Sequence, residues 1–189
     1  MSFTKTTLAS ILLSTFISSS SFAFPIFLKQ FGEHYDANGI DTSKLVDNQS
    51  CALCHNSAGG GGPRNPYGES FKAGVLGEGK GFDAIEFIDS DGDNFINLEE
   101  IYLNTAPGDS NDAPSSRIAI SVTSGKVSVS LPATCTSFEL ISFGVKIEGS
   151  NKLVKTNISG TQTLALDGSK GAILAKCVVE NAVGSLLLK

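Results

Sequence analysis

The chain of 189 residues has two histidines and a single methionine, which is also its first residue. With so few imidazoles, no Ser-His-Asp, Cys-His or paired-carboxylate arrangement proposes a hydrolytic or acid–base catalyst. Basic residues are outnumbered, 14 Lys and Arg against 19 Asp and Glu. That balance argues against nucleic acid as the partner, since phosphate binding needs a basic face. Beyond the N-terminal stretch, no segment is apolar and long enough to cross a bilayer. No cysteine comes after the small-residue run Ser21-Phe22-Ala23 at the position a lipid would take, which argues against a bacterial lipid anchor.

The N-terminus does hold a secretory pattern. Lys5 supplies the positive start, an apolar stretch runs from Leu8 to Ile17, and Ser21-Phe22-Ala23 offers a cleavage site. Residues 1–23 are therefore expected to be a signal peptide. The remaining chain would be exported to the periplasm, the cell surface or the medium. Losing Lys5 takes the formal charge from −5 to about −6, and the remaining length suits one or two small domains.

The most informative residues are Cys51-Ala52-Leu53-Cys54-His55. Two cysteines flanking two residues, with an imidazole next, form the attachment signature of a c-type haem. The thiols add to the porphyrin vinyl groups and His55 reaches the iron as its proximal ligand. Export and Cys-x-x-Cys-His support each other, because bacterial c-haem is attached after export. The competing reading is a local Cys51–Cys54 disulfide. Here the scarcity of methionine matters: with Met1 lost in the signal peptide, a His/Met iron is excluded. His34 is the remaining histidine and the first candidate for the far ligand, which would give a closed, low-spin iron suited to electron transfer. If His34 points away, the iron is open or takes Tyr67 or Lys72, and an open iron would permit gas sensing or peroxide chemistry.

A second motif lies downstream. Asp89-Ser90-Asp91-Gly92-Asp93-Asn94-Phe95-Ile96-Asn97-Leu98-Glu99-Glu100 matches an EF-hand calcium loop. Asp89, Asp91 and Asp93 fall at positions 1, 3 and 5. Phe95 at 7 offers its carbonyl, Asn97 at 9 acts through a water, and Glu100 at 12 grips with both oxygens. The one departure is Asn94 at position 6, where glycine is the rule. That site needs positive φ, which asparagine tolerates. One visible loop suits a structural Ca2+ clip rather than a sensor.

Composition changes near Pro107–Pro114, a run of breakers expected to be a linker. Before it, short helices are predicted: one carrying Phe24, Leu28, Phe31 and Tyr35, one from Asn65-Pro66 to Gly74, one over 82–88, and one from Leu98 to Leu103. After it, alternating apolar residues predict six or seven short strands, starting with Ile118–Val122 and Val127–Leu131 around a Ser124-Gly125 turn. Cys135 and Cys177 are expected to pair. The expected fold is α+β and multidomain. A small, mostly α-helical haem and calcium domain would span 24–112, and a C-terminal antiparallel β-sandwich 113–189.

The Cys-x-x-Cys-His, Asn65-Pro66-Tyr67-Gly68 and acidic loop, taken together, resemble exported bacterial monohaem c-type proteins. Asn104-Thr105-Ala106-Pro107-Gly108-Asp109 is similar to the segment after the calcium loops of thrombospondin-type-3-like repeats. The order of motifs is also similar to the temptin-like domain, where the two cysteines form a disulfide. The resemblance covers about residues 24–112 and leaves the strand-rich remainder unassigned. It implies covalent haem c and Ca2+ rather than any particular reaction; the haem motif itself points to electron transfer, with a redox protein partner or self-assembly and the β-domain for docking. The alternative it implies is a secreted calcium-binding interaction module without haem.

Overall fold

A computed structural model describes residues 25–78 and 81–189; the expected signal peptide and Phe24 lie outside them. Helices α1 (Pro25–Ala37), α2 (Ser43–Gln49), α3 (Pro66–Glu78) and α4 (Asn97–Leu103) come first, with 3-10 turns at Ser50–Leu53 and Gly81–Ala84. The strands come after them: β1 (Ser116–Arg117), β2 (Ala119–Thr123), β3 (Lys126–Ser130), β4 (Ser137–Phe143), β5 (Lys146–Ile147), β6 (Lys152–Thr156), β7 (Thr161–Asp167), β8 (Gly171–Cys177) and β9 (Ala182–Leu188).

Local chemistry explains most element ends. Asn65 and Pro66 start α3, with the Asn65 side chain accepting from the Gly68 N–H at 2.8 Å. Asn104 closes α4 in the left-handed region at φ 59°, and the Thr105 N–H returns to the Glu100 carbonyl at 3.0 Å. The turn between β2 and β3 puts Ser124 and Gly125 at φ 52° and 72°, the twist that a two-residue hairpin needs. The helix expected over 82–88 does not form. Gly81–Ala84 makes one 3-10 turn and the chain then bends into the acidic loop. In the other direction, α3 runs through Gly74 to Glu78.

One sheet has the order β1-β9-β8-β4-β6 and the other β2-β3-β7-β5. Their facing sides share a core that includes Val127, Val129, Phe138, Leu140, Leu164, Ile173 and Ala175. The Cys135–Cys177 disulfide closes that core where Phe138 of β4 pairs with Cys177 at the end of β8.

The expected fold class is corrected on two counts. The chain is mostly β, and the short helices of the described residues do not build a helical domain with a core of its own. Phe31, Tyr35, Tyr67, Leu98, Ile101 and Tyr102 share one cluster with Ile141 of β4, Leu174 of β8 and Val183 of β9. The physical reason is area. Helices of 7 and 13 residues carry too few apolar side chains to bury one another, so they use the outer face of the five-stranded sheet. Nor are the strands purely antiparallel: β1 runs parallel to β9, pairing Ser116 with Ala182 and Arg117 with Val183. The breaker-rich run 107–114 is folded back on itself, the Asp112 carboxylate accepting from the Ala106 N–H at 3.0 Å.

Candidate functional site

The Cys-x-x-Cys-His residues occupy a single tight turn. The N–H groups of Cys54 and His55 both reach the Cys51 carbonyl, at 3.2 and 2.9 Å. His55 then bridges to Arg64 in antiparallel fashion, enclosing the glycine-rich run as a loop. Asn65 pins the turn from the other side. Its amide donates to the carbonyls of Ala52 at 2.9 Å and Leu53 at 3.0 Å, and its backbone N–H donates to the Cys54 carbonyl at 3.1 Å. The Asn65-Pro66-Tyr67-Gly68 stretch is thus a helix start built around the cysteine turn. Gly108 packs on the same asparagine; a Cβ there would lie 2.7 Å from its side-chain amide.

Cys51 and Cys54 are half-buried and not bonded to each other, although Cys135 and Cys177 are. Burial, and then the neighbouring Cys51, push the Cys54 thiol up to about 11, against the pull of Arg64. Among the described residues, Nδ1 of His55 is buried without a partner. Two thiols and an imidazole whose Nδ1 lacks a partner, gathered on one turn, have the chemistry of the donor set that covalent haem requires, so these residues fit the proximal side of the group.

The far-side candidates fare differently. His34 turns to Glu86 and Asp83, with Nε2 at 3.2 and 3.3 Å from their carboxylate oxygens. Burial raises the Glu86 carboxyl, and the His34 hydrogen bond opposes that shift. Tyr67 is fully buried and its phenol is held well above its ordinary range by burial, which disfavours tyrosinate. Lys72 is exposed on α3.

In the acidic loop Asn94 takes the positive φ expected at position 6, 76°. Asp89 accepts from the N–H groups of Gly92 at 2.7 Å and Asn94 at 2.9 Å, and Asp93 accepts from Phe95 at 2.7 Å. One oxygen from each of Asp89, Asp91 and Asp93 lies within 4.8 Å of the others. Oxygens sharing a calcium ion at 2.3–2.6 Å can be at most about 5 Å apart. Glu100 is fully buried, and among the described residues neither of its carboxylate oxygens has a partner. Oδ2 of Asp91, Oδ2 of Asp93 and Oδ1 of Asn97 are buried and bare as well, while the Asn97 amide donates to the Ile85 carbonyl at 2.7 Å. Burial and the nearby aspartates push Glu100 up to about 10 and Asp91 to about 6. Such a set of bare buried oxygens fits a hard cation.

Sequence reasoning missed the neighbour, Glu99. It accepts from the Ile96 N–H at 3.2 Å, from Arg117 of β1 at 3.2 Å and from the Ser185 hydroxyl of β9 at 2.9 Å. Arg117 also lies over the Phe95 ring, 4.4 Å from its centroid. The loop is therefore fastened to the sheet. The signal available in sequence was the paired Glu99-Glu100, only one of which the calcium pattern uses. Arg117→Ala would strand the buried Glu99 charge. It is expected to lower stability by about 2 kcal/mol in urea unfolding.

Among the described residues, no helix is long and apolar enough to cross a membrane. No family model, no characterised protein and no solved structure matches the chain.

Proposed function

We propose that this chain is an exported monohaem c-type electron-transfer module, stiffened by one calcium ion, whose β-rich part docks to a redox protein partner or to further copies. The observation that carries the reading is the geometry of the cysteine turn: Cys51, Cys54 and His55 share one tight turn that Asn65 clamps through the Ala52, Leu53 and Cys54 carbonyls. Two thiols and an imidazole held together in this way would take a haem through two thioethers and a proximal ligand, and the haem would supply one-electron chemistry.

The chain's own residues do the positioning. Asn65 fixes three carbonyls of the turn, and Gly68 lets α3 approach it. The acidic loop joins the Gly81–Ala84 turn to α4 and so braces the same core. His34, held by two carboxylates, is not assigned as the sixth ligand. One lone haem carries an electron only a short way, which is why a partner or an assembly belongs to the reading.

Expression with c-haem maturation should give a Soret band and a denatured mass carrying the haem increment. Cys51→Ala with Cys54→Ala should lose both. A denatured mass of the bare oxidised chain under those conditions would instead support the calcium-binding interaction module with a Cys51–Cys54 bond.

A further inference from the structure

We infer that His34, Asp83 and Glu86 form a divalent transition-metal site of the zinc type, separate from both the cysteine turn and the calcium loop. The three residues come from two regions of the chain. His34 lies near the end of α1, and Asp83 and Glu86 lie in and just after the Gly81–Ala84 turn. Their ligand atoms all fall within 4.8 Å of one another.

One nitrogen faces two carboxylates. Nε2 of His34 lies 3.2 Å from Glu86 Oε1 and 3.3 Å from Asp83 Oδ1. A ring nitrogen carries at most one proton, so it cannot donate a full hydrogen bond to both. Charge-assisted N–H···O contacts close to about 2.7–2.9 Å when nothing else intervenes. Both observed distances are longer. They lie close to the edge of a tetrahedron around zinc, about 3.3–3.4 Å for metal bonds of about 2.0–2.1 Å, and the third pair of ligand atoms lies within 4.8 Å. A metal ion in place of the shared proton would satisfy all three groups at once.

The surroundings suit such an ion. The His34 and Glu86 side chains are 26% and 17% exposed, so that side of the site is partly shielded, while Asp83 at 68% leaves an approach from solvent. The His34 ring is fixed by edge contact with Tyr35 at 4.7 Å and a tilted contact with Phe82 at 5.7 Å. A groove of about 360 Å³ lined by Phe27, Phe71, Val75 and Phe82 opens beside His34 and Asp83. Three protein ligands leave a fourth position for water or for a small anionic ligand entering from that groove.

Zinc chloride titrated calorimetrically into calcium-saturated protein tests the site. The expected result is one equivalent bound, retained in Cys51→Ser/Cys54→Ser; calcium saturation keeps the acidic loop out of the reading. His34→Ala should weaken it by at least about 100-fold, more than loss of an outer partner costs, and Glu86→Gln should weaken it measurably. His34→Gln serves if the alanine variant does not fold, with zinc-induced melting shift as the readout: present in wild type, absent in the variant. Zinc binding that vanishes with the two cysteines, or that survives His34 replacement unchanged, overturns the assignment.

Discussion

Glu100→Gln is expected to melt at or above the wild-type temperature in EDTA at pH 7, and far below it in excess calcium. The reversal comes from where Glu100 sits. Without metal, its buried carboxyl is raised from an ordinary 4.5 to about 10 by burial and then by Asp91, Asp93 and Asp89. Between those values the folded chain holds a proton that the unfolded chain has released. Its contribution is therefore whole below about pH 4.5 and is lost as pH rises toward 10, with a slope approaching about 1.4 kcal/mol per pH unit. Glutamine carries no such cost. On the proposed calcium reading the sign inverts, because the ion would require the ionised carboxylate and stabilise only the folded loop. At a hundredfold excess over its dissociation constant the ion adds about 2.7 kcal/mol. For a chain of this size that is roughly 5–10 °C, which the glutamine variant should forfeit. Melting curves with and without calcium, taken at pH 5 and pH 8, check both signs. Metal-free wild type that grows more stable across that interval through this group would contradict the assigned role of Glu100.

Gly68→Ala is expected to cost about 3 kcal/mol or more and to cut the yield of covalently loaded protein. A Cβ at Gly68 would lie 2.0 Å from the Cys54 carbonyl oxygen and 2.9 Å from its carbon. The obstacle is backbone, so no side-chain rotation relieves it. Either the first turn of α3 or the cysteine turn must shift, which breaks the Asn65 N–H bond to Cys54 and loosens the clamp on Ala52 and Leu53. Gly59→Ala is the control. Its Cβ would meet nothing closer than the Ser57 hydroxyl at 3.9 Å, and stability should hardly change. Equal losses in the two variants, read by urea unfolding and denatured mass, would remove the special role given to Gly68.

Several features are legible in the sequence alone. Asn94 takes the positive φ that its place in the loop demands, and Ser124-Gly125 turns the β2–β3 hairpin. Asn65-Pro66 begins a helix, and Cys135 meets Cys177. Each of these depends on steric or hydrogen-bonding rules that act over a few residues, or on the scarcity of partners. His34 shows the opposite case. Its place near the end of an amphipathic helix says nothing about which surface covers it, and Asp83 and Glu86 come from a distant segment whose apolar spacing predicts a helix that does not form.

The sequence by itself determined the positive φ at Asn94, the Asn65-Pro66 helix start, the Ser124-Gly125 hairpin turn and the apolar alternation of the strands, because each is encoded by residues close along the chain. Only the tertiary structure decided that the helices share their core with Ile141, Leu174 and Val183, that β1 runs parallel to β9, and that Glu99 fastens the loop to Arg117 and Ser185. Those outcomes depend on which apolar faces find enough area to bury, and short helices with narrow stripes could find it only on a sheet formed by the other half of the chain.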